Sequence, residues 1–189
     1  MEFTCVLIGF GILVLLPLLI GVGIYNALVR LRAMVRESWS DIDTELQRRY
    51  NLVPNLVETV KGYAKQERTV LEEVTRARAA AVADAGSVEH QSGTEQKLQD
   101  TLRSLFAVVE NYPALKSGRN FLELQRELAN TENRIQAARR FYNGNVRDLN
   151  SRCQMFPSSI IAGMFNFQPA QFFRLRLDAE REMPKLEWD

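Results

Sequence analysis

An uncharged run near the start of this chain constrains its fold more than any other feature. From Phe3 to Val29, 27 consecutive residues include no Asp, Glu, Lys or Arg. A helix of that length is about 40 Å long, and the hydrocarbon core of a bilayer is about 30 Å thick. The sequence therefore predicts a retained transmembrane helix, with residues 1–29 forming a short external terminus and the span.

The main alternative for this run is a cleaved secretory signal. Such a signal has a basic start, a shorter apolar segment and a small-residue cleavage site. The segment Met1-Glu2-Phe3 carries no basic residue, and the run continues past Gly21 and Gly23 into helix-like sequence. These features favour a span that stays in the mature protein.

Basic residues flank the run on one side only. Arg30, Arg32 and Arg36 follow it, whereas Glu2 is the one charge that precedes it. Because positively charged flanks stay in the cytoplasm, we expect a single-pass protein with its N-terminus outside and residues 30–189 in the cytoplasm.

The chain as a whole is balanced in charge, with 24 Lys and Arg residues against 23 Asp and Glu residues. A protein built to bind nucleic acid shows a basic domain, so we expect no nucleic-acid partner. Cys5 and Cys153 are predicted to lie too far apart to pair, which agrees with a reducing compartment.

Beyond the span, apolar residues recur at steps of three and four, the spacing of one helix face. They are Val35, Trp39, Ile42, Leu46, Tyr50, Val53, Val57, Val60 and Ala64. The pattern predicts one long helix from about residue 3 to 84, interrupted chemically at Pro54. A kink at Pro54 is favoured over a hairpin, because a hairpin there would return about 46 Å of helix along a stalk about 30 Å tall.

Two further long helices are predicted. Ser92 and Glu95 have the spacing of a capping box, which predicts that a loop from Ala85 to Gly93 ends there and a helix begins. That second helix is expected to end at Asn111. The third is predicted to run from Asn120 to about Met155.

The tail from Ser158 to Leu177 is too apolar for a free tail. Because the helix lengths predict that the third helix overshoots the first, Leu149, Cys153 and Phe156 are expected to form an uncovered apolar overhang. We expect the tail to fold back there as a fourth element, the alternative being a neighbouring subunit or lipid. Residues 178–189 lack periodicity and are predicted to be disordered.

The predicted fold is thus all-α. The transmembrane helix continues into a long kinked helix of an antiparallel cytoplasmic bundle over residues 30–177. That bundle has three long helices with coiled-coil packing and a short C-terminal element.

Known catalytic motifs are missing from the sequence. It contains no P-loop, GxGxxG, HExxH or CxxC pattern, and His90 is the only histidine. Arrangements that need a histidine base or Glu-x-x-His pairs therefore lack their residues. We predict no enzymatic activity, no catalytic residue, no cofactor and no metal site.

Polar and aromatic residues along the helices are the candidate interaction residues. Two interpretations stay open: they fix helix register through bonds between helices, or they form a partner-binding surface. The set comprises Trp39, Asp41, Asp43, Arg49, Pro54, Asn55, Tyr63, Asn130, Glu132, Asn133, Arg134, Asn143, Phe156, Phe165 and Phe167.

Many of these residues belong to a pattern that resembles the LemA family over nearly the whole chain. In the first half the matching segments are Tyr25–Val29, Ser38–Asp43, Arg48-Arg49, Leu52–Val57 and Val60–Ala64. In the second half they are Glu127–Ile135, Arg139-Arg140, Tyr142-Asn143, Phe156-Pro157 and Phe165–Phe167. Gln66 stands where the family pattern often has His.

The resemblance implies a bacterial inner-membrane protein of the cell envelope, with a short outside terminus, one span and a cytoplasmic helical bundle. It brings no established reaction. An association with membrane metalloproteases is only weakly suggested.

Our first functional hypothesis is a membrane-anchored, non-enzymatic scaffold or adaptor that is held in the lipid bilayer and forms homo-oligomers. The competing hypothesis is a regulatory or sensor subunit of a membrane enzyme such as a metalloprotease, which would give the protein a membrane protein partner. A cofactor-binding enzyme is the third, for which the sequence offers no site.

Overall fold

The computed structural model describes residues 2–84 and 86–174, and six helices make up most of that part of the chain. They are α1 Glu2–Tyr63, α2 Arg68–Ala83, α3 Val88–Val109, α4 Pro113–Lys116, α5 Arg119–Gln154 and α6 Ser158–Met164. No strand occurs among the described residues, and the predicted all-α fold is confirmed. The disorder predicted for 178–189, and the end of the apolar tail, lie outside the described residues.

The chain divides into two compact units. Among the described residues, unit 1 is formed by 2–40 with 140–170, and unit 2 by 41–84 and 86–139 with 171–174. Since α1 and α5 each cross the boundary in sequence, both helices contribute to both units. The domain limits predicted at residues 29 and 177 stay predictions.

In unit 2, consecutive long helices alternate in direction. The Tyr50 hydroxyl lies 3.4 Å from the Ala81 carbonyl oxygen, which sets α2 antiparallel to α1. The Tyr112 hydroxyl donates to Glu67 at 3.2 Å, so the end of α3 lies beside the end of α1. Together with α5, these helices form a four-helix bundle rather than the predicted arrangement of three long helices.

The apolar stripe of α1 forms one wall of this core, as its spacing predicts. Six of the predicted positions in unit 2 are at most 2% exposed, namely Ile42, Leu46, Tyr50, Val53, Val60 and Ala64. The other helices contribute buried residues at the same three and four spacing, including Leu71, Val74 and Ala77 of α2, Leu98 and Leu105 of α3, and Leu128 and Ile135 of α5.

The predicted continuous helix to residue 84 is wrong, because α1 ends at Tyr63 and the chain reverses over residues 64–67. A hairpin at Pro54 was rejected because the returning helix would be longer than the part of the first helix beside which it packs. A turn ten residues later lengthens the stalk from Arg30 to about 51 Å and shortens the returning α2 to about 24 Å. The returning helix therefore fits beside the stalk.

Helix α1 continues through Pro54, so the prediction that no hairpin forms there is confirmed, and the kink expected at this residue stays a prediction. Proline has no N–H, so the carbonyl of Tyr50, four residues earlier, loses its helical donor. The Arg78 Nε of α2 donates to that carbonyl oxygen at 2.7 Å. The hairpin thus supplies the hydrogen bond that the proline removes.

The predicted loop from Ala85 to Gly93 is also wrong, because α3 begins at Val88. Ser87 is its N-cap, and the Ser87 hydroxyl accepts a hydrogen bond from the His90 backbone N–H at 3.2 Å. Ser92 and Glu95 lie within α3 and are buried. Their capping-box spacing is therefore a coincidence of sequence.

Unit 1 holds an apolar cluster in which the C-terminal segment returns to α1. Leu28 of α1, Leu149 of α5, Ala162 of α6 and Phe167 are all buried in it. The Phe167 N–H donates to Ala162 at 2.9 Å across Asn166, whose φ of 53° ends the helix in a Schellman motif. This turn directs Phe167 into the cluster.

The predicted fold-back of the tail is confirmed over residues 158–170, but its expected location is wrong. The second half of α5 runs antiparallel to α1, so its end approaches the uncharged run instead of overshooting the far end of the first helix. The Asn150 side chain exchanges two hydrogen bonds with the Ala170 backbone, at 2.8 and 2.9 Å, and holds the tail there.

The bond between Arg78 and Tyr50 gives a stability prediction. Arg78→Ala is expected to lower the free energy of unfolding by about 1–3 kcal/mol, because it leaves the Tyr50 carbonyl without a donor. In a Pro54→Ala background the new N–H satisfies that carbonyl, so the same change should cost less, with a coupling of about 0.5–3 kcal/mol. Urea unfolding of the four proteins in detergent measures the cycle, and equal costs in both backgrounds would contradict this account.

Candidate functional site

The most polar feature of the buried interior is an ion-pair cluster in unit 2, here called the Arg49 cluster and formed by Arg49, Tyr50, Glu95 and Glu132. Arg49 is 2% exposed and Glu95 is 1% exposed. One terminal nitrogen of Arg49 pairs with Glu95. The other donates to Glu132 Oε2 at 3.1 Å. One guanidinium on α1 therefore bridges carboxylates from α3 and α5.

Neighbouring side chains also donate to the two carboxylates. The Tyr50 hydroxyl donates to the Glu95 carboxylate. The Nε2 atoms of Gln99 and Gln136 donate to Glu132 Oε1 at 3.2 and 3.1 Å. Burial, followed by the bond to Glu95, raises the pKa of the Tyr50 phenol above its usual range, which keeps it a neutral donor.

The chemistry of this cluster is that of a lock between helices. A buried charge is tolerated only when it is paired and hydrogen-bonded, and a planar guanidinium can bond two carboxylates at once. A sliding of α3 or α5 along α1 would separate Arg49 from Glu95 or Glu132. The arrangement bonds three helices to one another, and we expect it to fix their register.

The single histidine of the sequence lies beside the carboxylate of Asp84, just before α3. His90 lies in the first turn of α3, and its Nδ1 is 2.8 Å from Asp84 Oδ2. The Thr94 hydroxyl also donates to Asp84, at 2.8 Å. The pKa of the Asp84 carboxyl is lowered, and the largest cause is its hydrogen bond with His90. Over residues 2–84 and 86–174, no group of three or more His, Cys, Asp and Glu residues is arranged to hold a metal ion.

A second feature of unit 2 is a groove between the end of α1 and the start of α2, here called the basic groove. Its volume is about 760 Å³. Lys61, Lys65, Arg68 and Arg76 line it together with the apolar Val57 and Leu71, while Glu72 is its one acidic residue. The groove therefore suits an acidic segment that also carries apolar side chains.

The structure brings together two of the predicted interaction residues, Arg49 and Glu132. The other candidates in unit 2 are exposed, namely Asp41, Asp43, Pro54, Asn55, Tyr63, Asn130, Asn133 and Arg134. The exposed Arg134 pairs with Glu45 at 3.6 Å. Asn143 is half-buried.

The remaining aromatic candidates lie in unit 1. The ring centroids of Trp39 and Tyr142 are 5.3 Å apart, and the ring planes are tilted by 58°. The rings of Phe165 and Phe167 lie 4.7 and 5.9 Å from that of Tyr25. Phe156 is exposed.

The basic residues that follow the uncharged run, Arg30, Arg32 and Arg36, are exposed. The guanidinium of Arg32 lies 4.8 Å from the Phe167 ring centre. The basic flank and the returning C-terminal segment therefore lie side by side in unit 1.

Glu95 and Tyr50 were not recognised as polar partners from the sequence. The spacing of the buried residues of α3 could have identified Glu95. These residues recur in steps of three and four, and the series extends from the leucines towards the N-terminus of α3. They are Ser92, Glu95, Leu98, Leu102, Leu105 and Val109. A carboxylate in phase with a buried stripe requires a counter-charge, and Arg49 is the one that the fold provides.

Comparison with known proteins gives consistent matches. A model of the LemA family matches residues 38–188. Magnetosome protein MamQ of Magnetospirillum gryphiswaldense is 22% identical over 174 residues, covering 79% of this chain. Magnetosome protein MamQ 2 of Paramagnetospirillum magneticum is 23% identical over 175 residues, with the same coverage. Protein LemA of Metamycoplasma hominis is 27% identical over 165 residues, covering 83% of this chain.

The matches differ in how much of the relative they cover. The chain spans 64% of the length of both MamQ proteins, less than two thirds, and 74% of Protein LemA. The resemblance inferred from the sequence motifs is confirmed by the family model.

Arg48 and Arg49 are adjacent arginines that allow a matched test of the cluster. Arg49→Ala is expected to lower the free energy of unfolding by about 3–5 kcal/mol, because it leaves the buried Glu95 without a counter-charge. Arg48 pairs with Glu127 at 3.0 Å, but both side chains are more than 40% exposed, so Arg48→Ala should cost at most about 1 kcal/mol. Urea unfolding in detergent compares them, and similar losses would contradict the lock.

Proposed function

The chain belongs to the LemA family, and from that premise we propose that it is a membrane-anchored, non-enzymatic helical scaffold at the cytoplasmic face of a bacterial inner membrane that assembles with copies of itself. The family and the apolar first helix together indicate a membrane-associated helical protein. The scaffold role, the orientation and the self-association go beyond that statement and constitute the proposal.

The exposure of the apolar part of α1 is the observation that carries the proposal. In the described part of the chain, one helix is long and apolar enough to cross a membrane, and only 11% of its most apolar window is buried. Leu13, Leu15, Leu16, Leu18 and Leu19 are each more than half exposed. A core helix of a soluble protein would bury these side chains, whereas a span exposes them to lipid.

The start of the folded part supports anchoring. Leu28, the second-last residue of the uncharged run, is already fully buried in the apolar cluster of unit 1. No free linker therefore separates the proposed span from the packing of α5 and α6 on α1. Such a protein would hold its cytoplasmic part directly at the membrane surface.

The use of polar groups within the fold supports a structural role. Arg49 donates to both Glu95 and Glu132, the Tyr50 phenol also donates to Glu95, and the side-chain amides of Gln99 and Gln136 donate to Glu132. Groups bonded in this way hold helices in place, and register is the best-attested role of buried polar groups.

A regulatory or sensor subunit of a membrane enzyme is the second proposal, and the basic groove is the observation that favours it. Four exposed cations surround an apolar floor there. An acidic, partly apolar segment of an enzyme such as a membrane metalloprotease would satisfy both features.

Orientation gives the first test. The exposed Arg30, Arg32 and Arg36 should keep residues after the span in the cytoplasm. A reporter that is active only in the cytoplasm, fused after Asp189, is expected to be active, and an externally active reporter at the same position to be silent. The opposite pair of results would refute the proposed topology.

Cross-linking in native membranes, followed by purification, separates the two proposals. The scaffold predicts homo-oligomers whose amount does not change in a Lys61→Glu, Arg68→Glu variant of the basic groove. The second proposal predicts a stoichiometric enzyme that is lost in this variant. Lys97→Glu with Arg126→Glu, two exposed cations outside the groove, is the control and should preserve either assembly.

A further inference from the structure

The end of α5 and the following α6 expose a concentrated apolar surface, here called the α6 patch. It comprises Met155, Phe156, Ile160, Met164 and Phe165, each between 54% and 82% exposed. These five side chains fall within eleven consecutive residues. Soluble surfaces seldom present such a concentration without a partner.

The sequence around the patch is unusual as well. From Cys153 to Phe173 the chain has no charged residue, and Arg152 and Arg174 bound this segment. It is a second uncharged run, 21 residues long, and Pro157, Gly163 and Pro169 prevent it from forming one spanning helix. It shares the absence of charge with the first uncharged run, although its backbone does not form one helix.

The inner side of the segment is firmly packed, so the exposure of the patch is not a sign of a loose tail. Ser158 and Ala162 are 3% exposed. The Ser158 hydroxyl donates to the carbonyl oxygens of Arg152 and Met155 at 2.6 and 2.9 Å. The Asn150 amide holds Ala170. The structure therefore presents the apolar side chains outward on a fixed support.

The patch lies beside the end of the proposed span. Ile161 Cδ1 of α6 is 3.6 Å from the position that a Cβ on Gly21 would occupy. The ring of Phe165 is 4.7 Å from that of Tyr25. Both α1 residues belong to the uncharged run, so the patch continues the exposed apolar surface of α1.

Helix geometry gives the depth at which these contacts would lie in the bilayer. Gly21 and Tyr25 precede Val29 by about 12 and 6 Å. The uncharged run exceeds the hydrocarbon core by about 10 Å, so residues near its end lie at the boundary between acyl chains and headgroups. Tyr is typical of that boundary. The exposed Arg30, Arg32 and Arg152 provide positive charge for anionic headgroups.

We propose that the α6 patch is a second membrane contact, inserted at the acyl-headgroup boundary of the leaflet from which α1 emerges. The inference rests on the proposed anchoring, because it uses the span to place the patch at the membrane. Its occupant is lipid rather than a protein. The protein would thus be held by one span and one shallow apolar wedge, and this double attachment fixes unit 1 against the bilayer.

Spin labelling of the full-length chain in phosphatidylcholine vesicles containing phosphatidylglycerol tests the proposal. In a background with Cys5→Ala and Cys153→Ala, single labels are introduced by Phe156→Cys and Met164→Cys. Val22→Cys, on an exposed site of the span, is the lipid reference. Phe141→Cys, at an aromatic site of unit 1 that is 59% exposed and lies earlier in α5, is the aqueous control.

We expect the labels at positions 156 and 164 to resemble the label at 22, with high oxygen accessibility and a loss of accessibility to a water-soluble nickel chelate. The label at 141 should stay accessible to the chelate. If the labels at 156 and 164 are accessible to the chelate while that at 22 is protected, the wedge is refuted and the anchoring survives.

Two other results would also overturn the proposal. Spin–spin broadening at 156 or 164 that disappears on dilution with unlabelled protein would show a second copy on the patch. Chelate accessibility at position 22 would refute the span itself, and the proposed function would fail together with the wedge.

Discussion

The arrangement of unit 2 depends on the buried ion pairs that Arg49 forms with Glu95 and Glu132. A guanidinium that is 2% exposed needs counter-charges, and they come from two different helices, as Glu95 of α3 and Glu132 of α5. The adjacent Tyr50 donates to Glu95 and accepts, through its backbone carbonyl, the bond from Arg78 of α2. Four helices therefore meet at two successive residues of α1. A change in the register of any one of them would leave a buried polar group unpaired, which is a large cost relative to the marginal stability of a folded domain.

Unit 1 uses neutral polar groups for the same purpose. The Asn145 amide donates to the Ser38 hydroxyl at 3.1 Å and sets α5 against α1. Asn150 holds the returning tail, and the Schellman turn at Asn166 directs Phe167 inward. In unit 1, these polar side chains therefore form hydrogen bonds within the fold, while the apolar side chains of the α6 patch are exposed. A bilayer beside α1 gives this exposure a physical reason, since lipid rather than water would cover these apolar side chains.

The two surfaces left open by the fold differ in chemistry. The α6 patch is apolar and lies next to the uncharged run of α1, whereas the basic groove of unit 2 is lined by cations around a small apolar floor. In the proposed scaffold the first surface attaches the protein to the membrane, and the second is available to a partner. Family membership is consistent with this division but names no reaction, so the functional argument rests on these surfaces.

The sequence by itself determined the features that depend on composition and local periodicity. The absence of charge from Phe3 to Val29 predicts a span, and the three and four spacing predicts an all-α fold and most of the buried positions of α1. The family could be recognised from short motifs. These properties need no knowledge of which helices touch, because they follow from the solvation of each residue and from the geometry of a single helix.

Only the tertiary structure decided where the chain reverses and which polar groups pair. Pro54 removes the helical donor of the Tyr50 carbonyl, and the replacement comes from Arg78, 24 residues later, while the chain reverses at residues 64–67 and not at residue 84 as predicted. Glu95 had the spacing of a capping residue and lies instead in the core, where Arg49 neutralises it. Both outcomes depend on a partner that is distant in sequence. Local propensities favour alternatives by about 1 kcal/mol per residue, and a single buried bond between helices is enough to decide among them.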